Sequence, residues 1–104
     1  MLDPAASAIV LKIDRDLEDL VPEYLANRRN DIAVMAEKCD RGDFAGLRSM
    51  GHKIKGTGGG YGFAYITEIG GRIEQSAEAG DGAGVRAALQ DLADYLARVR
   101  VVYE

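Results

Sequence analysis

Twelve residues in the middle of the chain, Gly51-His52-Lys53-Ile54-Lys55-Gly56-Thr57-Gly58-Gly59-Gly60-Tyr61-Gly62, hold six of its thirteen glycines and its only histidine. Such a stretch admits two structures. A loop would gather backbone N–H groups into a phosphate cradle. A helix would display one histidine on a rigid rod with a cleared surface around it. Periodicity separates the two. At ~100° per residue, with His52 set at zero, Phe44, Leu47, Met50, Gly51, Ile54, Gly58 and Tyr61 fall within an arc centred roughly opposite the ring. Arg48, Lys55, Gly56 and Gly59 fall within about 60° of it. The apolar stripe runs straight through the glycines to Tyr61, so the spacing predicts a helix from Phe44. Glycine in a helix interior costs about 1 kcal/mol against alanine. Five glycines between 56 and 62 therefore need tertiary packing to stay helical.

The flanking segments read as helices too. Leu20, Tyr24, Leu25, Ile32, Met35, Ala36 and Cys39 keep helical spacing from about Leu17 to Arg41, with Pro22 in the first turn, where its missing N–H costs nothing. Asp14, Asp16, Glu18 and Asp19 cluster near that N-terminus and suit the helix dipole. Gly42 supplies a left-handed stop, and Asp43 a cap for the next helix. A third stripe, Phe63, Ile66, Ile69, Ile73 and Ala77, is interrupted by Gly70 and Gly71, which weaken it or admit a close neighbour. Ala79-Gly80-Asp81-Gly82 ends it. A fourth runs from about Ala83 to Tyr103 on Val85, Leu89, Leu92, Leu96, Val99 and Tyr103. Ahead of them all, Ile9, Leu11 and Ile13 alternate like a strand, but with no visible partner they read as extended chain lying against the domain. The expectation is an all-α fold: an antiparallel up-down-up-down four-helix bundle over residues 17–104, with an extended or irregular lead-in over residues 1–16.

Composition narrows the function. A chain of 104 residues fits one domain with one core. A net charge of −4 argues against nucleic acid, whose binding draws its affinity from a basic face, and against anionic membrane surfaces. Cys39 is the sole cysteine, so no internal disulfide is possible, and a lone thiol suits a reducing cytoplasm. It sits on an apolar stripe and reads as a small core residue. No secretory signal and no spanning apolar run are visible. The glycines fail both nucleotide fingerprints: no Lys-Ser/Thr follows the last glycine, and the third glycine of the dinucleotide pattern is absent. One histidine and one cysteine on different helices cannot build a zinc site, and no paired Glu-x-x-His motif suggests a di-iron centre. No nucleophile elbow is present, and no acid is evident to orient His52.

His52 remains. It should face solvent in mid-helix, with Gly56 and Gly59 one and two turns beyond on its own face and Lys55 three positions on. An exposed, partly neutral imidazole with a cation nearby is a competent nucleophile. His52-Lys53-Ile54-Lys55-Gly56-Thr57, followed by Gly62, resembles the H-x-[LI]-K-G-[ST] signature of histidine phosphotransfer (HPt) domains. Leu20-Val21-Pro22-Glu23-Tyr24-Leu25, Asp43-Phe44 and Ile73-Glu74 resemble the family's flanking helices, so the likeness covers the chain from about Leu17 onward. Its triple glycine 58–60 and Gly70-Gly71 exceed the family's usual glycine content.

The resemblance implies a phosphocarrier rather than an enzyme. His52 would accept a phosphoryl group from the aspartate of a response-regulator receiver domain and pass it to a second receiver aspartate, with Lys55 offsetting phosphoryl charge. The protein would need no cofactor of its own; the receiver would bring Mg²⁺. Family analogy puts the phosphoryl group on Nε2. Receivers, and a hybrid sensor kinase, are the implied partners of a cytoplasmic monomer, whether free-standing, as the single domain favours, or a piece of a hybrid kinase. Docking is expected on Ala45, Arg48, Ser49, Gly56 and Gly59, with Arg28 and Arg29 from the first long helix. The alternative is a non-catalytic helical module that docks on receivers or kinases without carrying phosphate.

Overall fold

The computed structural model describes residues 8–104. Four helices form the body: α1 (Val21–Asp40), α2 (Phe44–Gly58), α3 (Ala64–Glu78) and α4 (Gly82–Arg98). Each connection is built from the residues that the sequence marks for it. Pro22 lies in the first turn of α1. Gly42 takes φ 71°, and the Asp43 carboxylate accepts a hydrogen bond from the Gly46 N–H at 2.9 Å to cap α2. Asp81 caps α4 in the same way through Gly84, at 2.9 Å. Such short connections oblige successive helices to run antiparallel. Gly58 of α2 lies against Phe63 and Thr67, and Gly51 against Gly70 and Glu74. Arg72 of α3 reaches Asp91 of α4, and Arg86 of α4 reaches Asp40 at the end of α1. The ring of helices is thus the expected up-down-up-down bundle.

The apolar stripes meet inside it. Met35, Leu47, Phe63, Ile66, Ile69, Ile73, Val85 and Leu92 are fully buried, each side chain contributing about 1.5–3 kcal/mol of hydrophobic free energy. Cys39 joins this core, as its place on the stripe of α1 predicts. An aromatic stack fastens α1 to the end of α2. Tyr24 lies 4.3 Å from Tyr61 and 5.8 Å from Phe63, centroid to centroid, and its hydroxyl pairs with the Thr57 hydroxyl at 3.2 Å.

Three expectations about the chain ends are corrected. The alternating segment does have a partner. Ile9–Ile13 is a strand, β1, and pairs in parallel with β2 (Val99–Tyr103) in the register Ile9 with Val99 through Ile13 with Tyr103. Ile13, at the end of β1, is buried. The fourth helix accordingly stops at Arg98 rather than continuing to Tyr103. Val99 and Tyr103 happen to keep helical spacing with α4, but Val99-Arg100-Val101-Val102-Tyr103 is rich in β-branched residues and finds a ladder to join. The first long helix is also shorter than its periodicity suggests. Arg15–Leu17 form a 3₁₀ turn capped by Asp14, and α1 starts only at Val21, with Glu23 as the acid of its first turn. The first seven residues of the expected lead-in fall outside the described residues.

The glycine-rich stretch is helical. α2 runs to Gly58, tightens to a 3₁₀ turn over Gly59–Tyr61, and ends at Gly62 with φ 89°, a left-handed conformation that favours glycine.

Candidate functional site

The site is made where α2 crosses α3. Two glycines set the closeness of that crossing. A Cβ on Gly51 would lie 2.8 Å from the Glu74 backbone nitrogen and 3.0 Å from the Gly70 carbonyl oxygen. A Cβ on Gly70 would run into the backbone of Lys55 and Gly51. The two backbones touch there, with no side chain between them. Gly70 therefore serves the close approach that its sequence position left open. Gly58 does the same farther along, against Thr67 and Phe63, and the Gly59 N–H donates to the Thr67 hydroxyl at 2.8 Å.

One residue past Gly51 stands His52, its side chain 72% exposed. One helical turn past Gly70 stands Glu74, its side chain only 16% exposed. The crossing brings them together: Nδ1 of His52 and Oε2 of Glu74 are 2.7 Å apart. The other carboxylate oxygen, Oε1, accepts from Lys55 Nζ at 3.3 Å. The histidine thus has an acid partner, contrary to the sequence expectation that none was evident. The partner lies 22 positions away on another helix, where spacing along α2 gives no view of it.

The chemistry follows from the acceptor. The His52 hydrogen bond, then the Lys55 hydrogen bond, hold the Glu74 carboxyl below its ordinary value of 4.5, against the opposing effect of burial. Glu74 is therefore ionised near neutral pH, and an ionised carboxylate only accepts. Nδ1 must be the donor. In the neutral ring the lone pair then belongs to Nε2, on a side chain that is mostly exposed. The arrangement is an exposed imidazole held by one nitrogen, with the lone pair of the other unused within the bond to Glu74.

The surroundings match the cleared surface read from the sequence. Gly56 and Gly59 are exposed, and a Cβ on Gly56 would meet nothing within 4 Å. Ala45, Arg48 and Ser49 are exposed one to two turns before His52. Arg48, Ser49, His52, Lys53 and Glu74 line one shallow depression. Lys53, singled out only as part of the motif, belongs to this rim. The two arginines of α1 differ. Arg29 is exposed. Arg28 lies over the Tyr24 ring at 4.7 Å and beside Asp31 at 2.9 Å, with 17% of its side chain exposed. Most of Arg28 is thus committed to holding α1 together. Among the described residues, no group of three or more His, Cys, Asp or Glu side chains could hold a metal ion, and no helix is long and apolar enough to cross a membrane.

The family model described as Hpt domain matches residues 16–101. The match begins after β1 and ends within β2, so the two-stranded sheet lies at and beyond its margins. No curated protein and no solved structure matches the chain.

Proposed function

The chain belongs to the Hpt domain family, the phosphotransfer domains of two-component signalling, and on that premise we propose that His52 is its phosphoacceptor. In this reading the protein takes a phosphoryl group from the aspartyl phosphate of one receiver domain and gives it to the aspartate of another, in the cytoplasm. The observation that supports it most directly is the 2.7 Å hydrogen bond from Nδ1–H of His52 to Glu74, which leaves the Nε2 lone pair free on an exposed side chain. Nε2 would attack the phosphorus in line with the departing acyl oxygen. Lys55, three residues on and already beside the ring through Glu74, would reach the incoming phosphoryl oxygens and offset their charge.

The receiver would supply Mg²⁺ and most of the catalytic machinery, so this chain acts as a carrier. Gly56 and Gly59 give the partner's loops room to approach. Arg48, Lys53 and Arg29, with the small residues Ala45 and Ser49, would face the acidic surroundings of a receiver aspartate, and opposite charge speeds such encounters. Arg28 enters this surface by its exposed edge alone.

The test is transfer from a phosphorylated receiver to the purified chain. The label should be acid-labile and absent from His52→Gln. Wild-type labelling of that variant would remove His52 from the site. Intact receiver binding and signalling in His52→Ala would instead identify a docking module that carries no phosphate.

A further inference from the structure

Glu74 divides its two oxygens between two cationic or cation-forming neighbours, at 2.7 Å from His52 Nδ1 and 3.3 Å from Lys55 Nζ. Both neighbours are open to solvent, yet the carboxylate is largely covered between α2 and α3. An amide in its place would accept the same hydrogen bond and hold the same tautomer. A full negative charge is more than orientation requires.

Electron counting gives the charge a role. As Nε2 attacks, its lone pair forms the N–P bond, while the bond from phosphorus to the donor oxygen breaks and its pair stays on that oxygen. No proton moves. Nδ1 keeps its hydrogen, so a neutral ring becomes a cationic one as the phosphoryl group arrives. A carboxylate at hydrogen-bond distance stabilises that cation; a neutral amide does so far less. We infer that Glu74 is a positioning residue that keeps the phosphorylated ring protonated and thereby sets how readily the phosphoryl group leaves His52. A protonated ring departs from phosphorus as neutral imidazole, a good leaving group. An unprotonated ring would have to depart as an imidazolate. The glutamate thus makes the phosphorylated protein a short-lived, fast donor rather than a store.

The other charges around the ring do not replace this effect. On α2, Lys55 is engaged by Glu74 itself, and Arg48 lies 4.0 Å from Glu78 of α3. Lys53 lines the same depression as the ring, and its charge opposes a ring cation. From α1, Arg28 and Asp31 border the next depression along Lys53 and are paired at 2.9 Å. Glu74 is the carboxylate in contact with the imidazole.

The inference rests on His52 being the phosphoacceptor, and the test separates the two claims. The purified chain is labelled with phosphoramidate, a small donor that releases ammonia and needs no receiver. Loss of the label is then followed by ³¹P NMR between about pH 5 and pH 9. Wild type and Glu74→Gln should both lose phosphate more slowly as pH rises through the ring's deprotonation. The wild-type midpoint should lie about one pH unit higher, so above both midpoints its label should decay roughly tenfold faster. Glu74→Asp keeps the charge and should keep a midpoint near wild type even if labelling slows. Equal midpoints in wild type and Glu74→Gln, or a Glu74→Asp midpoint that moves with Glu74→Gln, would overturn the role of the charge. Failure of the wild type to label at His52, with His52→Gln labelling equally, would overturn the parent reading instead.

Discussion

Alanine at two glycines of the same neighbourhood should move stability in opposite directions. At Gly70, a Cβ would lie 2.9 Å from the Gly51 carbonyl oxygen and 2.9 Å from the Lys55 Cα, with the Lys55 backbone nitrogen nearer still. Ordinary contact begins near ~3.5 Å, so α2 and α3 must part by roughly 1 Å to clear that nitrogen. All three obstacles are backbone, and no rotamer change relieves them. Overpacking of this kind costs about 1–3 kcal/mol, and the rigid obstacle puts Gly70→Ala near the upper end. The helix propensity gained by alanine returns at most about 1 kcal/mol. The net loss is about 2 kcal/mol, or roughly 8–10 °C in Tm for a domain of this size. At Gly56 a Cβ meets nothing within 4 Å. Only the propensity and chain-entropy gain remains there, about 0.4–1 kcal/mol, so Gly56→Ala should melt roughly 2–4 °C higher. Thermal unfolding by circular dichroism measures both. Labelling of His52 at a temperature where Gly70→Ala is still folded should also fall, because the same movement draws Glu74 from the ring. A Gly70→Ala protein that melts at or above wild type would refute the backbone-contact account of the site.

Other substitutions probe the remaining links. Lys55→Ala should slow transfer from a receiver several-fold with little change in Tm, since its ion pair is half exposed; normal kinetics with a collapsed Tm would reverse its role. Ile13→Ala should lower stability by about 3 kcal/mol in urea titrations, a cost expected of a core residue and not of a loose lead-in. Arg28→Ala should lower Tm by a few degrees by uncovering Tyr24, whereas Arg29→Ala should leave Tm unchanged. The pH dependence has a definite sign. The folded carboxyl of Glu74 lies below 4.5, so its stabilising contribution is complete above about that pH and is lost as pH falls through the folded value. The Tm difference between wild type and Glu74→Gln should therefore be largest near neutrality and shrink in acid. A difference that grew on acidification would contradict the hydrogen-bond assignment.

Much of this site is legible along a single helix. His52, Lys55 and Gly56 share one face of α2, and Gly59 continues it just past the helix end, because 3.6 residues make a turn, and that arithmetic needs no third dimension. The stripe from Phe44 to Tyr61 likewise shows that the glycines are helical, and Gly42, Asp43, Gly62 and Asp81 mark their own turns through backbone chemistry local to each. The largest missing pieces are pairings between distant positions. The partner of β1 is β2, ninety residues on, and the same valines that extend a helical stripe on paper alternate faces once a ladder is available. The acid that orients His52 comes from α3, carried there by a backbone contact between Gly51 and Gly70.

Sequence alone thus determined the helical face on which His52 stands and the open surface before it, since helical phase is a property of consecutive residues. Tertiary structure decided which nitrogen of the ring is free, because that depends on what the other nitrogen meets. Here it meets Glu74, and only because two helices without intervening side chains approach closely enough to let a carboxylate reach across.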